Sequence, residues 1–212
     1  MRHSKISRRL LLAGSMAAVA LTGLPKPTAS AATAGGAAER VGALYGALLQ
    51  AMQQAKQLGI NGRYDLLAPV LTNIYDIPSM SRAAVGPSWA SLDPAQQSGI
   101  VEAFSRMMVA NYASQFDGFS GERFEILQTI DRAPTDKLVK TQIVQSNGKT
   151  VKLDYLMRDN QGTWKVVDVY LGGTISELAS RRAEFTAIMK SGGASALINS
   201  LRRQGDKLLA KA

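Results

Sequence analysis

The amino-acid sequence predicts an α+β fold, in which a curved antiparallel sheet of about four strands carries helices on one face. Two changes of hydrophobic period support this prediction. Residues 41–116 repeat apolar side chains at helical spacing, residues 124–171 alternate as strands do, and the helical spacing returns after residue 174. Turn signals at Asn147-Gly148 and around residues 159–162 divide the alternating region into strands.

The N-terminal half predicts four helices. The first has an apolar stripe from Val41 to Met52 and ends at Gly59, and shorter helices cover residues 64–74 and 78–85. Asp93-Pro94-Ala95-Gln96 is typical of a helix start, since Asp caps, Pro suits the first turn and Gln reaches back. The helix that it opens has a broad apolar face: Ile100, Val101, Phe104, Met107, Met108, Tyr112 and Phe116.

The alternating region predicts strands at residues 124–130, 138–145, 150–158 and 163–171. A two-residue Asn147-Gly148 loop would place Val144 opposite Val151. One face of the sheet then collects the apolar and aromatic side chains and should lie under the helices. Its members are Val144, Val151, Leu153, Tyr155, Met157, Trp164, Val166 and Tyr170.

Two helices are predicted at the C-terminus. Thr174-Ile175-Ser176-Glu177 fits a capping box, and Gly192-Gly193 ends the helix that it starts. A last helix should cover residues 194–209.

The first 31 residues have the features of a cleaved export signal. A basic segment ending at Arg8-Arg9 precedes an apolar run over residues 10–24, and Ala29-Ser30-Ala31 fits a signal peptidase site. The segment resembles a twin-arginine signal, and an ordinary Sec signal fits as well. We therefore expect a periplasmic protein with a flexible stub at residues 32–38 and one domain at residues 39–212, which is predicted to be a monomer.

Composition excludes much catalytic chemistry. The chain has a net charge of +9, but five of its 25 basic residues and its only histidine lie before residue 32, and it has no cysteine. The mature chain therefore lacks disulfides, thiolate sites, histidine-ligated zinc and Ser-His-Asp triads, and no cofactor or metal is predicted. Lys and Arg form no stripe, so nucleic acid is not an expected partner.

Three interpretations of the domain remain open from the residues. Asp168 is the one acidic residue predicted on the aromatic face, so an enzyme could use it as a general base. The alternative for Asp168 is an ion pair with Arg181 or Arg182 at the sheet edge. The helix and sheet faces could also form a filled core, as in an adaptor subunit, or an apolar ligand pocket.

Several motifs resemble the MlaC or toluene-tolerance family of periplasmic lipid-binding components of ABC-type transport systems. They are Gly86-Pro87-Ser88-Trp89, Gly162-Thr163-Trp164-Lys165-Val166-Val167-Asp168-Val169, and Arg182 with Phe185. The segments 116–124 and 172–179 are most similar to the hopanoid-associated HpnM subgroup. The resemblance implies a sheet with helices around an apolar pocket, and a protein that carries lipid without being an enzyme.

The resemblance also implies ligands, partners and site residues. The ligand would be a phospholipid or a hopanoid, and the partners an inner-membrane ABC-type lipid transporter and an outer-membrane lipoprotein complex. Arg181 and Arg182 would contact a headgroup or a partner. The residues expected to line or gate the pocket are Trp89, Phe104, Met108, Tyr112, Tyr155, Trp164, Val166, Tyr170 and Phe185.

Overall fold

A computed structural model describes residues 36–210 and confirms the α+β fold, with helices against an open antiparallel sheet of strand order β1-β2-β3-β4-β5. The predicted export signal and residues 32–35 of the predicted stub lie outside the described residues. The elements are α1 (Ala37–Gln53), α2 (Ala55–Ile74), α3 (Ile77–Val85), a 3₁₀ helix (Gly86–Ser91), α4 (Pro94–Gln115), β1 (Arg123–Ala133), β2 (Asp136–Val144), β3 (Thr150–Asn160), β4 (Thr163–Leu171), β5 (Ile175–Ser176) and α5 (Glu177–Leu209).

The first helices differ from the prediction at their ends. α1 begins at Ala37, so the last two residues assigned to the stub are helical. α2 begins at Ala55, well before the predicted residue 64, and Gly59 interrupts it with non-helical torsions of φ 60° and ψ −173°. Glycine tolerates this positive φ because it has no Cβ, so the chain changes direction there and resumes as a helix through Pro69.

The start of α4 agrees with the sequence prediction. The Asp93 carboxylate accepts a hydrogen bond from the Gln96 backbone N–H at 2.8 Å, and the Gln96 side chain accepts one from the Asp93 N–H at 3.2 Å. This reciprocal pair satisfies two N–H groups that the helix leaves without partners.

The start of α5 corrects the predicted capping box. Ser176, not Thr174, is the N-cap, and its hydroxyl accepts a hydrogen bond from Ala179 N–H at 2.9 Å. Ile175 and Ser176 pair with the end of β4 as a short fifth strand, and the Ile175 side chain is exposed. Gly193, at φ 66° and ψ −163°, interrupts α5 where the sequence predicts a helix end.

The β2–β3 hairpin has a three-residue loop, not the predicted two-residue loop. Gln145 faces Lys149 through a 2.8 Å backbone hydrogen bond, and Gly148 takes a φ of 80°. This is the geometry of a type I turn followed by a left-handed residue. The register moves by one residue, so Val144 lies opposite Thr150 and Ile143, instead of Val144, joins the helix-covered face.

A β-bulge in β4 corrects the second half of the predicted face. Met157 pairs with Val166, but Leu156 pairs with Asp168, which leaves Val167 as an extra residue. An extra residue reverses the alternation of side chains beyond it. Val169 therefore lies on the face of Tyr155, while Tyr170 pairs with Asp154 on the other face.

The core lies between the helices and the concave face of the sheet. A buried hydrogen-bond chain crosses it: Thr141 donates to the Leu153 carbonyl, so the Tyr45 hydroxyl donates to Thr141. Tyr45 also packs on Phe124 at 4.6 Å between ring centroids. Among residues 36–210, no helix is both long and apolar enough to span a membrane.

Candidate functional site

A cavity of about 160 Å³ opens between α4, the first turns of α5 and strands β3 and β4. This is close to the roughly 150 Å³ of an engineered apolar cavity that binds benzene, so the space is large enough for a small apolar group. The lining residues are Tyr75, Met80, Phe104, Met107, Met108, Asn111, Tyr112, Gln115, Phe116, Leu153, Tyr155, Val169, Leu171, Glu177, Leu178 and Arg181.

The two helices give the cavity an apolar end and a polar end. Along α4 the lining changes from Phe104 to Asn111 and Gln115, and eleven residues of helix span about 16 Å. α5 runs the opposite way, because Phe185 packs edge-on against Phe104 at 5.4 Å while Glu177 and Arg181 lie at its start. Asn111, Gln115 and Glu177 therefore lie toward one end of the cavity, while Arg181 lies one helical turn from Phe185 and lines the middle of the wall.

Arg181 is positioned by its own helix. Its guanidinium donates to the Glu184 carboxylate at 3.0 Å, and its side chain is about one quarter exposed. Glu177 lies one turn earlier on the same helix face. Glu177 lies at the polar end, while the Arg181 guanidinium turns toward Glu184, one residue before Phe185.

Three tyrosines form part of the cavity wall: Tyr75, Tyr112 and Tyr155. The hydroxyls of Tyr75 and Tyr112 hydrogen-bond to each other. Tyr112 also stacks on Phe116 at 5.7 Å, and Tyr155 meets Tyr45 edge-on at 5.9 Å. The wall is thus aromatic, with hydroxyl groups set into it.

Burial keeps these hydroxyls protonated. Desolvation raises the pKa of Tyr112 to about 12, and it raises the pKa values of Tyr75 and Tyr155 well above 10. Neighbouring tyrosines raise the pKa values of Tyr112 and Tyr155 further, and Glu177 raises that of Tyr112, because a phenolate near other negative charge is disfavoured. At neutral pH the wall therefore offers neutral O–H groups.

Five of the residues expected from the sequence line this cavity: Phe104, Met108, Tyr112, Tyr155 and Arg181. Phe185 does not line the cavity but packs edge-on against Phe104, which does. Val166 is fully buried in the core, where its carbonyl accepts a hydrogen bond from the Asp76 N–H at 2.9 Å.

The other expected residues lie away from the cavity. Trp164 packs under the Lys137 ammonium group, 5.4 Å from its ring centroid, in a separate surface groove. Trp89 is in the 3₁₀ helix, and its carbonyl accepts from the Gln97 amide at 3.0 Å. Tyr170 is on the other sheet face, and the Arg182 guanidinium lies beside Gly86.

Tyr75 is the most consequential lining residue absent from the sequence-based set. It follows α2 outside any periodic segment, and a parallel bridge to Val166 holds it against β4. No periodic pattern reports such a contact. Met107 and Phe116 were on the predicted helix face, but spacing alone does not show which members of a wide face border a cavity.

Asp168 is a structural acceptor at the start of α5. Its carboxylate accepts hydrogen bonds from Leu178 N–H at 3.0 Å, Val169 N–H at 2.7 Å and the Ser176 hydroxyl at 2.6 Å. It is buried, does not line the cavity, and makes neither of the arginine pairs considered from the sequence. Its place favours a role in joining α5 to the sheet over one as a general base. Within residues 36–210, no acidic cluster suits a metal ion.

Residues 43–203 match the model of the family described as MlaC protein. This match spans most of the chain, and the chain belongs to the MlaC family. No curated protein matches the chain. A solved structure with the same fold is described as the phospholipid-binding protein from Ralstonia solanacearum in complex with a phospholipid. Its TM-score is 0.71 at 21% sequence identity, over 81% of this chain and 98% of that one.

Proposed function

We propose that this protein is a lipid carrier that holds apolar chains in the cavity between α4, α5 and the sheet. The observation that carries the proposal is the cavity's polarity: Phe104 and Met80 belong to its apolar wall, Gln115 and Glu177 stand at its polar end, and Arg181 lines the wall between them. A lipid has the same division between its chains and its headgroup. A protein that shields chains from water needs no catalytic group.

Burial of the chains supplies the binding free energy. Each methylene removed from water contributes about 0.8 kcal/mol, so even a partly enclosed acyl chain is held firmly. The cavity takes only part of a lipid as it stands, so longer chains require the wall to adjust. Met80, Met107 and Met108 suit this, because methionine has several rotatable bonds and a polarizable sulfur.

Arg181 and Glu177 are the residues proposed to contact the headgroup. A guanidinium pairs well with phosphate oxygens, and a carboxylate favours a nearby ammonium group. Arg182, the other arginine expected at such a contact, points to Gly86 and is not part of this proposal.

The proposed ligand is a phospholipid, and the comparisons support this choice. The chain is an MlaC family member, and the Ralstonia solanacearum protein with the same fold is described as phospholipid-binding. A hopanoid is the second candidate, supported by the HpnM-like segments at residues 116–124 and 172–179. The test below separates the two.

The proposed place of action is the periplasm. The basic and apolar segments before Ala31 support export. There the protein would receive lipid from, or deliver it to, an inner-membrane ABC-type transporter and an outer-membrane lipoprotein complex. Those partners follow from the family resemblance of the sequence.

Lipid analysis of the purified mature protein tests the carrier function. We expect native mass spectrometry to show one lipid-sized adduct, and solvent extraction to release a stoichiometric amount of phospholipid. A hopanoid in the extract would change the ligand but keep the carrier. Protein that carries no lipid and takes none from vesicles would contradict the proposal and favour an adaptor with a filled core.

Leu178→Trp tests whether this cavity holds the lipid. Leu178 lines the cavity and is partly exposed, so an indole there occupies chain volume without entering the deep core. We expect lipid load below half that of the wild type at equal thermal stability. Leu66→Trp is the matched control, since Leu66 is also partly buried but lies outside the cavity. Equal loading of Leu178→Trp and wild type would place the lipid elsewhere.

A further inference from the structure

The hydroxyl pair of Tyr75 and Tyr112 in the cavity wall has one O–H donor without an acceptor in the described part of the chain. Tyr75 and Tyr112 each have one O–H proton, and the single hydrogen bond between them uses one of the two. Within residues 36–210, neither hydroxyl has another hydrogen-bond partner. One donor is therefore left over, whichever tyrosine donates to the other.

The pair is largely shielded from bulk water. Tyr75 is 3% exposed, Tyr112 is half-buried, and both rings border the cavity. An O–H group held away from water without an acceptor is costly, and a ligand oxygen placed opposite it recovers that cost. The raised pKa values of both tyrosines keep them as donors at any physiological pH.

The position of the pair along the cavity indicates which oxygen would meet it. Tyr112 lies three residues before Gln115 on α4, so it is about 4.5 Å further from the polar end. On its other side, Met108 and Phe104 continue the wall into the apolar end. An acceptor at this level belongs to the junction between a polar headgroup and a hydrocarbon chain.

We propose that the Tyr75–Tyr112 pair is a hydrogen-bonding subsite for an ester carbonyl of a glycerolipid. The subsite rests on the proposed carrier function and narrows it to lipids whose chains are attached through esters. An ether-linked chain has the same length and shape but lacks the carbonyl. A pure hydrocarbon ring system offers no acceptor at this level.

A competition between two lipids tests the subsite. Delipidated protein is offered vesicles with equal amounts of diacyl and dialkyl-ether phosphatidylethanolamine of the same chain length, and bound lipid is counted by native mass spectrometry. We expect the wild type to prefer the diacyl lipid roughly fivefold, within the range for one net hydrogen bond. The Tyr75→Phe/Tyr112→Phe double variant should bind both lipids equally.

Tyr45→Phe is the control. It removes a buried hydroxyl of the same type, but one that donates to Thr141 outside the cavity lining. It should keep the diacyl preference. The comparison therefore separates the loss of a subsite from the general effect of removing a buried tyrosine hydroxyl.

Infrared spectroscopy of the wild type provides a test that needs no variant. Diacyl lipid labelled with ¹³C at the ester carbonyls should show a carbonyl band shifted to lower wavenumber when bound, relative to the same lipid in dry hydrocarbon solvent. Equal loading of the two lipids with an unshifted band would overturn the subsite and leave the carrier standing. Failure of both lipids to load would contradict the carrier itself.

Discussion

Asp168 shows how one side chain connects the sheet to the helix that borders the cavity. Its two oxygens together accept three hydrogen bonds, from Val169, Ser176 and Leu178. Hydrogen bonds to a buried charged group are among the stronger ones in proteins. The same residue that appeared from its position to be a catalytic candidate is therefore committed to holding the start of α5.

Asp168→Ala should lower the free energy of unfolding by about 2 kcal/mol, because it leaves buried N–H and O–H groups without their acceptor. Denaturant titration measures this change. Asp131→Ala is the control, since the Asp131 side chain is 80% exposed and its ion pair with Lys137 contributes little. A stable Asp168→Ala protein that loses a catalytic turnover would support the enzyme alternative instead.

The neighbouring arginines Arg181 and Arg182 form a natural matched pair. Arg181 lines the cavity, while Arg182 lies against Gly86. Arg181→Gln should weaken binding of an anionic phospholipid severalfold, and Arg182→Gln should leave it near the wild-type value. Vesicle competition at two salt concentrations measures both effects. Equal losses in the two variants would argue against a headgroup contact at Arg181.

At the scale of elements, the sequence predicted the helices and strands that have a periodic pattern of apolar residues or a local cap. The Asp93–Gln96 cap, the apolar face of α4 and the four main strands follow from local patterns and are present. The two register errors have one cause: a three-residue loop and a bulge each add one residue, and side-chain alternation cannot reveal an added residue in advance. Tyr170 was misplaced for this reason.

The candidate site could be predicted only where its residues follow a local pattern. Phe104, Met108 and Tyr112 were found because they share the periodic face of one helix. Tyr75 was missed because its place depends on a bridge to Val166, ninety-one residues away in the chain. Contacts between distant segments leave no local pattern.

The two helix interruptions depend on glycine. Gly59 and Gly193 have nearly the same torsions, with φ of 60° and 66° and ψ of −173° and −163°, a region that other residues avoid. Gly59→Ala and Gly193→Ala should each lower the free energy of unfolding by about 1 to 3 kcal/mol. Thermal or denaturant unfolding measures the change.

Gly46→Ala serves as the contrasting variant. Gly46 has ordinary helical torsions in α1, and a Cβ there meets no atom within 4 Å. Alanine is the better helix former by up to about 1 kcal/mol, so this variant should be slightly more stable than the wild type. Stabilisation by all three substitutions would show that the interruptions are not fixed in solution.

At the scale of the whole molecule, the cavity is assembled from segments far apart in sequence. The segment after α2, two faces of α4 and α5, and the concave side of β3 and β4 all contribute. Folding buries the three tyrosines of the lining beside one another and raises their pKa values. Their ionisation is therefore linked to the free energy of unfolding of the domain.

Stability should fall in alkaline solution for this reason. The pKa values of Tyr75, Tyr112 and Tyr155 are raised on folding, to about 12 for Tyr112, so their contribution is complete below pH 10 and declines as the pH rises through the folded values. Lys165 changes the stability in the opposite direction as the pH rises, because burial lowers its pKa in the folded protein.

Denaturant unfolding between pH 8 and pH 11.5, followed by tyrosinate absorbance near 295 nm, measures this decline. The unfolded chain provides the reference, since its tyrosines ionise near pH 10. The Tyr75→Phe/Tyr112→Phe variant should decline less steeply than the wild type. Identical slopes would show that these two tyrosines are already accessible to hydroxide when the protein is folded.

The bulge at Val167 has a consequence for comparing this chain with its relatives. Val166 and Val169 share the helix-covered face only because Val167 is an extra residue between them, whereas in an unbroken strand positions 166 and 168 would share a face. A relative one residue shorter here would place a different column of the alignment against the lipid cavity. Residues should therefore be matched across the family by sheet register, with a gap allowed at position 167, before any pocket residue is transferred by identity.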